Sequence, residues 1–288
     1  MHREGRLVPA GDTRLNVVEV GDPDSYPILL LHGGPGFDHH EFADYLDPLA
    51  DRGYRLLFVD LRSQGASDRA AEATWTIQRM AEDVVMLGRG LALDRYAVLG
   101  HSFGAFVALQ NAVDFPGMAA QTIVSGGVPS TPYLDVVDEN LARFEPVHLQ
   151  EQVAASWERE SEVETQEEFE QLLHDQMPFH FADPLDPRIA EYERRSAGGI
   201  LTPDVLRAMS ASEYGGIDVE DRLGDVRQPV LVLAGRHDRV CSVRAAQDMA
   251  AKIPQAELVV FEQGGHMTFV EETEAYLDAV DGFLRRNR

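Results

Sequence analysis

Ser102 lies in a Gly-x-Ser-x-Gly motif at residues 100–104, which read Gly-His-Ser-Phe-Gly. An apolar run at residues 96–99 predicts a buried strand before the motif, and a helical pattern follows over residues 103–114. In that setting the serine occupies a sharp turn, and glycines on both sides leave room for it. The turn lifts the hydroxyl above the sheet at a helix N-terminus, where the dipole favours negative charge. The motif therefore predicts a nucleophilic serine.

A serine hydroxyl becomes a good nucleophile only when a base accepts its proton and a third group orients that base. Asp238 and His266 provide those groups in the order serine, acid, histidine, each after a predicted strand. Loops at the carboxyl ends of parallel strands meet in one crevice, so separation along the chain is no obstacle. We predict that His266 is the general base toward Ser102 and that Asp238 holds its tautomer. The alternative acids Asp218 and Asp225 have no strand before them.

Acyl transfer also needs hydrogen-bond donors for the oxyanion. One predicted donor is the backbone N–H of Phe103, which directly follows the nucleophile. The other is expected from residues 32–36, His-Gly-Gly-Pro-Gly, where Gly34 is predicted to provide the amide. A plain turn would account for one glycine there but poorly for three glycines and a proline. His101, inside the serine motif, is expected to pack beneath the nucleophile.

Strands and helices alternate along residues 1–127 and again along residues 213–288, which indicates an α/β fold. The strands are short and apolar on both faces, so we expect a largely parallel, eight-stranded sheet with helices on both sides. Residues 128–212 contain helical patches and prolines but no strand-like run, and we interpret them as a helical lid inserted into the core. The eight strands are predicted at residues 6–9, 15–20, 28–31, 55–60, 96–99, 121–125, 230–234 and 258–261.

The net charge of −24 over 288 residues argues against nucleic acid and anionic membranes as partners. The single cysteine, Cys241, excludes an internal disulfide and fits a reducing cytoplasm. No apolar run approaches membrane-spanning length, and the polar first residues lack the apolar segment of a signal peptide. A metal enzyme is not expected, because His39 and His40 are too close in sequence for a paired-histidine site. We therefore predict a cytoplasmic protein without metal.

The motifs resemble those of α/β-hydrolases. Residues 32–36 are similar to a motif of the proline iminopeptidase (prolyl aminopeptidase) family, and residues 60–67, Asp-Leu-Arg-Ser-Gln-Gly-Ala-Ser, resemble that family's D-Q-R-G-x-G-x-S loop. The resemblance implies an α/β-hydrolase fold and removal of an N-terminal residue, typically proline, from short peptides or amino-acid amides. It also implies that no cofactor is needed. The chain departs from the family at Leu61 and Ser63, and at His101 and Phe103, where the family has a small residue and Trp.

The same family binds the protonated amine of its substrate with glutamates of the lid. The Trp157-Glu158 pair resembles the lid's Trp-Glu pair, and Glu191 or Glu193 lies at a suitable spacing for a second glutamate. Residues 128–212 hold 18 acidic residues and 6 arginines. Such a lid would attract ammonium groups and repel carboxylates. We therefore expect Glu158 and Glu191 to contact the substrate.

Two other functions stay open. A carboxylesterase, a lactonase or a carbon–carbon bond hydrolase could use the same three residues, and a ligand-binding relative could have the fold without catalysis. Ser102 itself argues against epoxide hydrolases and haloalkane dehalogenases, which need a carboxylate at that position. The sequence makes no prediction of the oligomeric state.

Overall fold

A computed structural model describes residues 4–288. The strands of this part are β1 (Arg6–Ala10), β2 (Thr13–Val20), β3 (Tyr26–Leu31), β4 (Tyr54–Val59), β5 (Ala97–His101), β6 (Gln121–Ser125), β7 (Val230–Gly235) and β8 (Ala256–Phe261). They form one sheet in the order β1-β2-β4-β3-β5-β6-β7-β8. β2 pairs antiparallel with β1 and β4, and all other neighbours are parallel. The prediction of a mostly parallel, eight-stranded sheet is confirmed.

Between β6 and β7 the described chain forms helices and loops but no strand. None of the helices in residues 4–288 has the length and apolarity needed to cross a bilayer. The α-helices of this part are α1 (Pro48–Asp51), α2 (Ile77–Gly90), α3 (Phe103–Asp114), α4 (Val136–Ala142), α5 (Val147–Arg159), α6 (Gln166–His180), α7 (Arg188–Ser196), α8 (Pro203–Ser210), α9 (Glu213–Gly216), α10 (Val243–Lys252), α11 (Thr268–Glu271) and α12 (Thr273–Arg286).

The sheet has an apolar core on each face, because successive side chains of a strand point to opposite sides. In β3, Leu29 and Leu31 belong to the core that α2, α3 and α10 cover, whereas Ile28 and Leu30 belong to the core that α1 and α12 cover. All four side chains are fully buried. Burial on both faces explains why these strands are uninterrupted apolar runs.

The segment before β4 differs from its predicted structure. A helix is expected over residues 41–51, but the chain instead forms a 3-10 turn (His39–Phe42) and the short α1. Asp38 caps the turn by accepting the His40 N–H at 2.9 Å, and Ala43 ends it with a positive φ of 45°. The turn buries Glu41, which an exposed amphipathic helix would have left near solvent.

Arg62 provides a test of stability. Its fully buried guanidinium donates to both carboxylate oxygens of Asp83 at 2.7 and 2.6 Å and to Asp12 at 2.7 Å. Arg62→Ala would leave the buried Asp83 carboxylate without its cation, and we expect a loss of about 3–5 kcal/mol in the free energy of unfolding. Urea denaturation measures this, with the exposed Arg14–Asp68 pair as control, since Arg14→Ala should cost at most about 1 kcal/mol. Equal losses would contradict the prediction.

Candidate active site

Ser102 occupies the turn between β5 and α3 in a strained backbone conformation, with φ 52° and ψ −119°. Non-glycine residues rarely adopt a positive φ. A Cβ on Gly100 would lie 2.0 Å from the Gly104 carbonyl oxygen, and one on Gly104 would lie 2.2 Å from the Leu31 oxygen. Only glycine fits at these two positions, so the predicted strand–turn–helix forms as the motif indicates.

His266 and Asp238 are joined by a hydrogen bond of 2.8 Å between Nδ1 and Oδ2. The other carboxylate oxygen of Asp238 accepts the N–H groups of Val240 and Cys241, each at 2.8 Å, which fixes the orientation of the carboxylate. Because Nδ1 donates to Asp238, Nε2 carries the lone pair. This Nε2 is buried and has no hydrogen-bond partner within residues 4–288.

Three histidine rings lie side by side, with centroids 5.0 Å apart for His101 and His266 and 5.3 Å apart for His180 and His266. Burial keeps the pKa of His101 well below its usual value and lowers that of His180 to about 4. Burial also opposes the charge on His266, but the Asp238 carboxylate and its hydrogen bond outweigh it and raise the pKa. Of the three rings, His266 is therefore the one that accepts a proton near neutral pH.

Ser102 and His266 both line the main cavity, which has a volume of about 560 Å³. Aromatic and aliphatic side chains form much of its wall, including Phe103, Phe106 and Leu206. Among the described residues, no lysine or arginine lines this cavity, whereas five acidic residues do: Glu41, Asp135, Asp138, Glu160 and Glu213. The main cavity therefore favours a substrate that carries a positive charge.

Gly34 and Phe103, the predicted oxyanion donors, also line the main cavity. Neither backbone N–H donates a hydrogen bond to the described residues. Two hydrogen bonds connect the loop of residues 32–36 to the loop after β4. The Gly36 N–H donates to Gln64 Oε1 at 2.6 Å, and the Leu61 N–H donates to His32 Nε2 at 3.1 Å. Residues 60–67 thus hold the loop of residues 32–36 in place.

Glu158 and Glu191 do not reach this cavity. Glu158 is exposed on α5, and Glu191 is exposed on α7 with Arg195 3.5 Å away. Glu158 is exposed because of its position around the helix: it lies about 140° around the helix axis from the buried Val153. The expectation that the Trp157-Glu158 pair places this glutamate at the substrate is therefore wrong in its geometry, and Glu191 faces solvent as well.

Two buried carboxyls for which the sequence predicts no role line the cavity instead. Glu160 Oε1 accepts the Gln176 side-chain amide at 2.8 Å, and its Oε2 accepts the Tyr214 hydroxyl at 2.5 Å. Glu41 Oε2 accepts the Gly33 N–H at 2.5 Å. Burial raises the pKa of both carboxyls to about 7. A sequence signal existed for Glu160, which follows Val153 by seven residues and so shares its buried face; none existed for Glu41.

Within residues 4–288, two groups have three possible metal ligands within 4.8 Å of one another. In one of them, Asp238 and His266 are already bonded to each other, with Cys241 beside them. In the other, formed by residues 38–40, His39 Nδ1 lies 2.7 Å from Asp60 Oδ1. The expectation of a protein without metal or cofactor stays a prediction.

The sequence matches the alpha/beta hydrolase fold family over residues 26–273. The chain belongs to this family. The predicted α/β-hydrolase fold is thereby confirmed, and the chain is a hydrolase. The serine motif and the Asp238–His266 pair occupy the loops after β5, β7 and β8 of this α/β-hydrolase.

Relatives of this α/β-hydrolase include proline iminopeptidases, so the resemblance seen in the sequence is confirmed. The protein of that name from Clostridium botulinum is 28% identical over 271 residues, which cover 91% of this chain and 90% of the relative. Solved structures that share the fold include two with a TM-score of 0.75. The proline iminopeptidase from Mycobacterium smegmatis is 23% identical and covers 99% of this chain, with 98% of its own length matched. The esterase from Exiguobacterium antarcticum is 22% identical and covers 98% of this chain, with its full length (100%) matched.

Proposed function

We propose that this α/β-hydrolase is a serine hydrolase that works through an acyl-enzyme. His266 Nε2 accepts the Ser102 hydroxyl proton as Oγ attacks the substrate carbonyl, and Asp238 stabilises the imidazolium that forms. The N–H groups of Gly34 and Phe103 stabilise the oxyanion. His266 then protonates the leaving group, and water releases the acid by the reverse steps. The Asp238–His266 hydrogen bond of 2.8 Å, with Nε2 free beside the cavity that Ser102 lines, supports this proposal.

The proposed substrate is a short peptide or amino-acid amide with a free N-terminal amine, typically that of proline. Two observations support it: the carboxyl-rich cavity without lysine or arginine among the described residues, and the proline iminopeptidases among the relatives. Such a wall favours an ammonium group in the cavity and disfavours an anionic group at the same place. The apolar side chains of Phe103, Phe106 and Leu206 would enclose a small ring such as pyrrolidine.

We also propose that residues 128–212 act as a lid over a core formed by residues 1–127 and 213–288. Helices of that segment contribute much of the cavity wall, including Trp157, Glu160 and Leu206. A cytoplasmic location, and the absence of nucleic-acid and membrane partners, stay predictions from composition alone.

A substrate panel tests the proposed function. We expect hydrolysis of prolyl and alanyl naphthylamides, with kcat/KM roughly 10- to 100-fold higher for prolyl than for N-acetylprolyl naphthylamide, since a charged hydrogen bond is lost in the blocked compound. p-Nitrophenyl esters serve as the comparison. Ester hydrolysis without amide hydrolysis would contradict the aminopeptidase proposal and favour the second candidate, an esterase, lactonase or carbon–carbon bond hydrolase with the same three residues.

A further inference from the structure

Glu41 lies deep in the protein, 6% exposed, in the 3-10 turn that follows the loop of residues 32–36. It faces the main cavity and also a second cavity of about 340 Å³, so it forms part of the wall between them. Its Oε2 accepts the Gly33 N–H, but no donor of residues 4–288 contacts Oε1. Both carboxylate oxygens of Glu160, the other deeply buried acid of the main cavity, already have donors.

The Glu41 carboxyl lies close to the nucleophile. A Cβ placed on Gly33 would lie 2.6 Å from Glu41 Oε1 and 2.9 Å from Ser102 Cβ, so the two side chains converge on one point. In an aminoacyl-enzyme, the α-nitrogen is three bonds from the serine oxygen, which places these two atoms about 3–4 Å apart. A group that binds the α-amine must therefore lie beside the serine, as Glu41 does.

The charge balance around Glu41 points to the same ligand. A buried carboxylate is unfavourable unless it is paired with a cation or fully hydrogen-bonded. Glu41 makes no ion pair with lysine or arginine in the described chain, and no such residue lines either cavity that it faces. A substrate ammonium group would supply the missing cation and a donor for Oε1.

We propose that Glu41 binds the free amine of the substrate's N-terminal residue and so determines specificity for unblocked substrates. This inference rests on the proposed function and assigns amine binding to the core loop after β3. The Gly33 N–H holds the carboxyl in place before the substrate arrives, and Glu41 takes no part in the proton transfers. Glu41 is also one of the charges that raise the pKa of His266, behind Asp238, so its loss should affect binding of the amine far more than the reactivity of Ser102.

Glu41→Gln tests this role because glutamine keeps the volume and can still accept the Gly33 N–H, but has no charge. We expect kcat/KM for prolyl naphthylamide to fall by about 10- to 100-fold. The rate at which a fluorophosphonate labels Ser102 should change less than about threefold, since this probe has no amine and reports the nucleophile and oxyanion donors. Glu167→Gln, an exposed glutamate on α6, is the matched control and should change neither rate.

Each result decides between roles. Equal losses of kcat/KM and of the labelling rate in Glu41→Gln would show that Glu41 only positions the loop of residues 32–36. An unchanged kcat/KM would also overturn the proposal. If that variant does not fold, Glu41→Asp, which keeps the charge at shorter reach, should lower kcat/KM and spare the labelling rate. If the wild type prefers prolyl over N-acetylprolyl naphthylamide and Glu41→Gln keeps the same preference as the wild type, this inference alone is contradicted. A wild type without that preference contradicts the proposed function.

Discussion

Replacing Ser102 with alanine should abolish hydrolysis of every amide and ester substrate, with kcat falling by about 10⁴- to 10⁶-fold. The substitution removes the oxygen that we propose as the nucleophile, whereas the cavity and the Asp238–His266 pair stay in place. Alanine keeps the Cβ, so the backbone at φ 52° is as strained as with serine, and folding should be unchanged.

Labelling by a fluorophosphonate, read by mass spectrometry, tests the same change independently of the substrate. Wild-type protein should gain one label per chain on Ser102, and Ser102→Ala should gain none. The matched control is Ser212→Ala, since Ser212 is exposed and is not among the residues that line the main cavity. Labelling of the alanine variant would contradict the assignment of the nucleophile, and a folded wild type that takes no label would favour a ligand-binding relative.

Much of the fold could be predicted because its periodic segments are long and clearly bounded. Helix α3 and strand β6 begin and end at the predicted residues. In α12, the apolar residues recur at helical spacing from Tyr276 to Leu284, and they are buried. Glycine fixes the serine turn by steric exclusion at Gly100 and Gly104, so this feature could also be predicted from residue type.

Short polar helices could not be predicted, because they carry too few apolar residues to show a period. In α7 the apolar residues are Ile189 and Tyr192 with a single alanine, which are too few to indicate a helix by their spacing. The position of Glu41 depends on the reversal at Ala43, where a non-glycine residue adopts a positive φ. Nothing in the sequence signals that conformation.

The glutamates of the proposed lid show a different limit of prediction from sequence. The pair Trp157-Glu158 matches a family pattern, but its position on α5 turns Glu158 to solvent and Glu160 to the cavity. The helical spacing of Val153, Ser156 and Glu160 correctly indicates which face of α5 is buried. A local motif match therefore needs to be checked against the phase of the helix that carries it.

Replacing Asp238 with asparagine should lower kcat by about 10⁴-fold without removing any group from the cavity. The reason lies in the two backbone N–H groups, of Val240 and Cys241, that the carboxylate oxygen Oδ1 accepts at 2.8 Å each. The asparagine side-chain oxygen must take that place, which turns its NH₂ group toward His266 Nδ1. Nδ1 must then accept, so Nε2 carries the proton and can no longer take one from Ser102.

The pH dependence should change as well, because Asp238 is the group that keeps the pKa of His266 raised against burial. Only neutral His266 can act as the base, so in the wild type kcat/KM should rise with pH through a pKa above the usual 6.5. In Asp238→Asn the charge is lost and burial dominates, so this limb should move to lower pH. Imidazole ¹⁵N chemical shifts would report the tautomer directly, with the exposed Asp225→Asn as control. An unmoved acid limb in Asp238→Asn, or an unchanged His266 tautomer, would show that Asp238 does not govern the base.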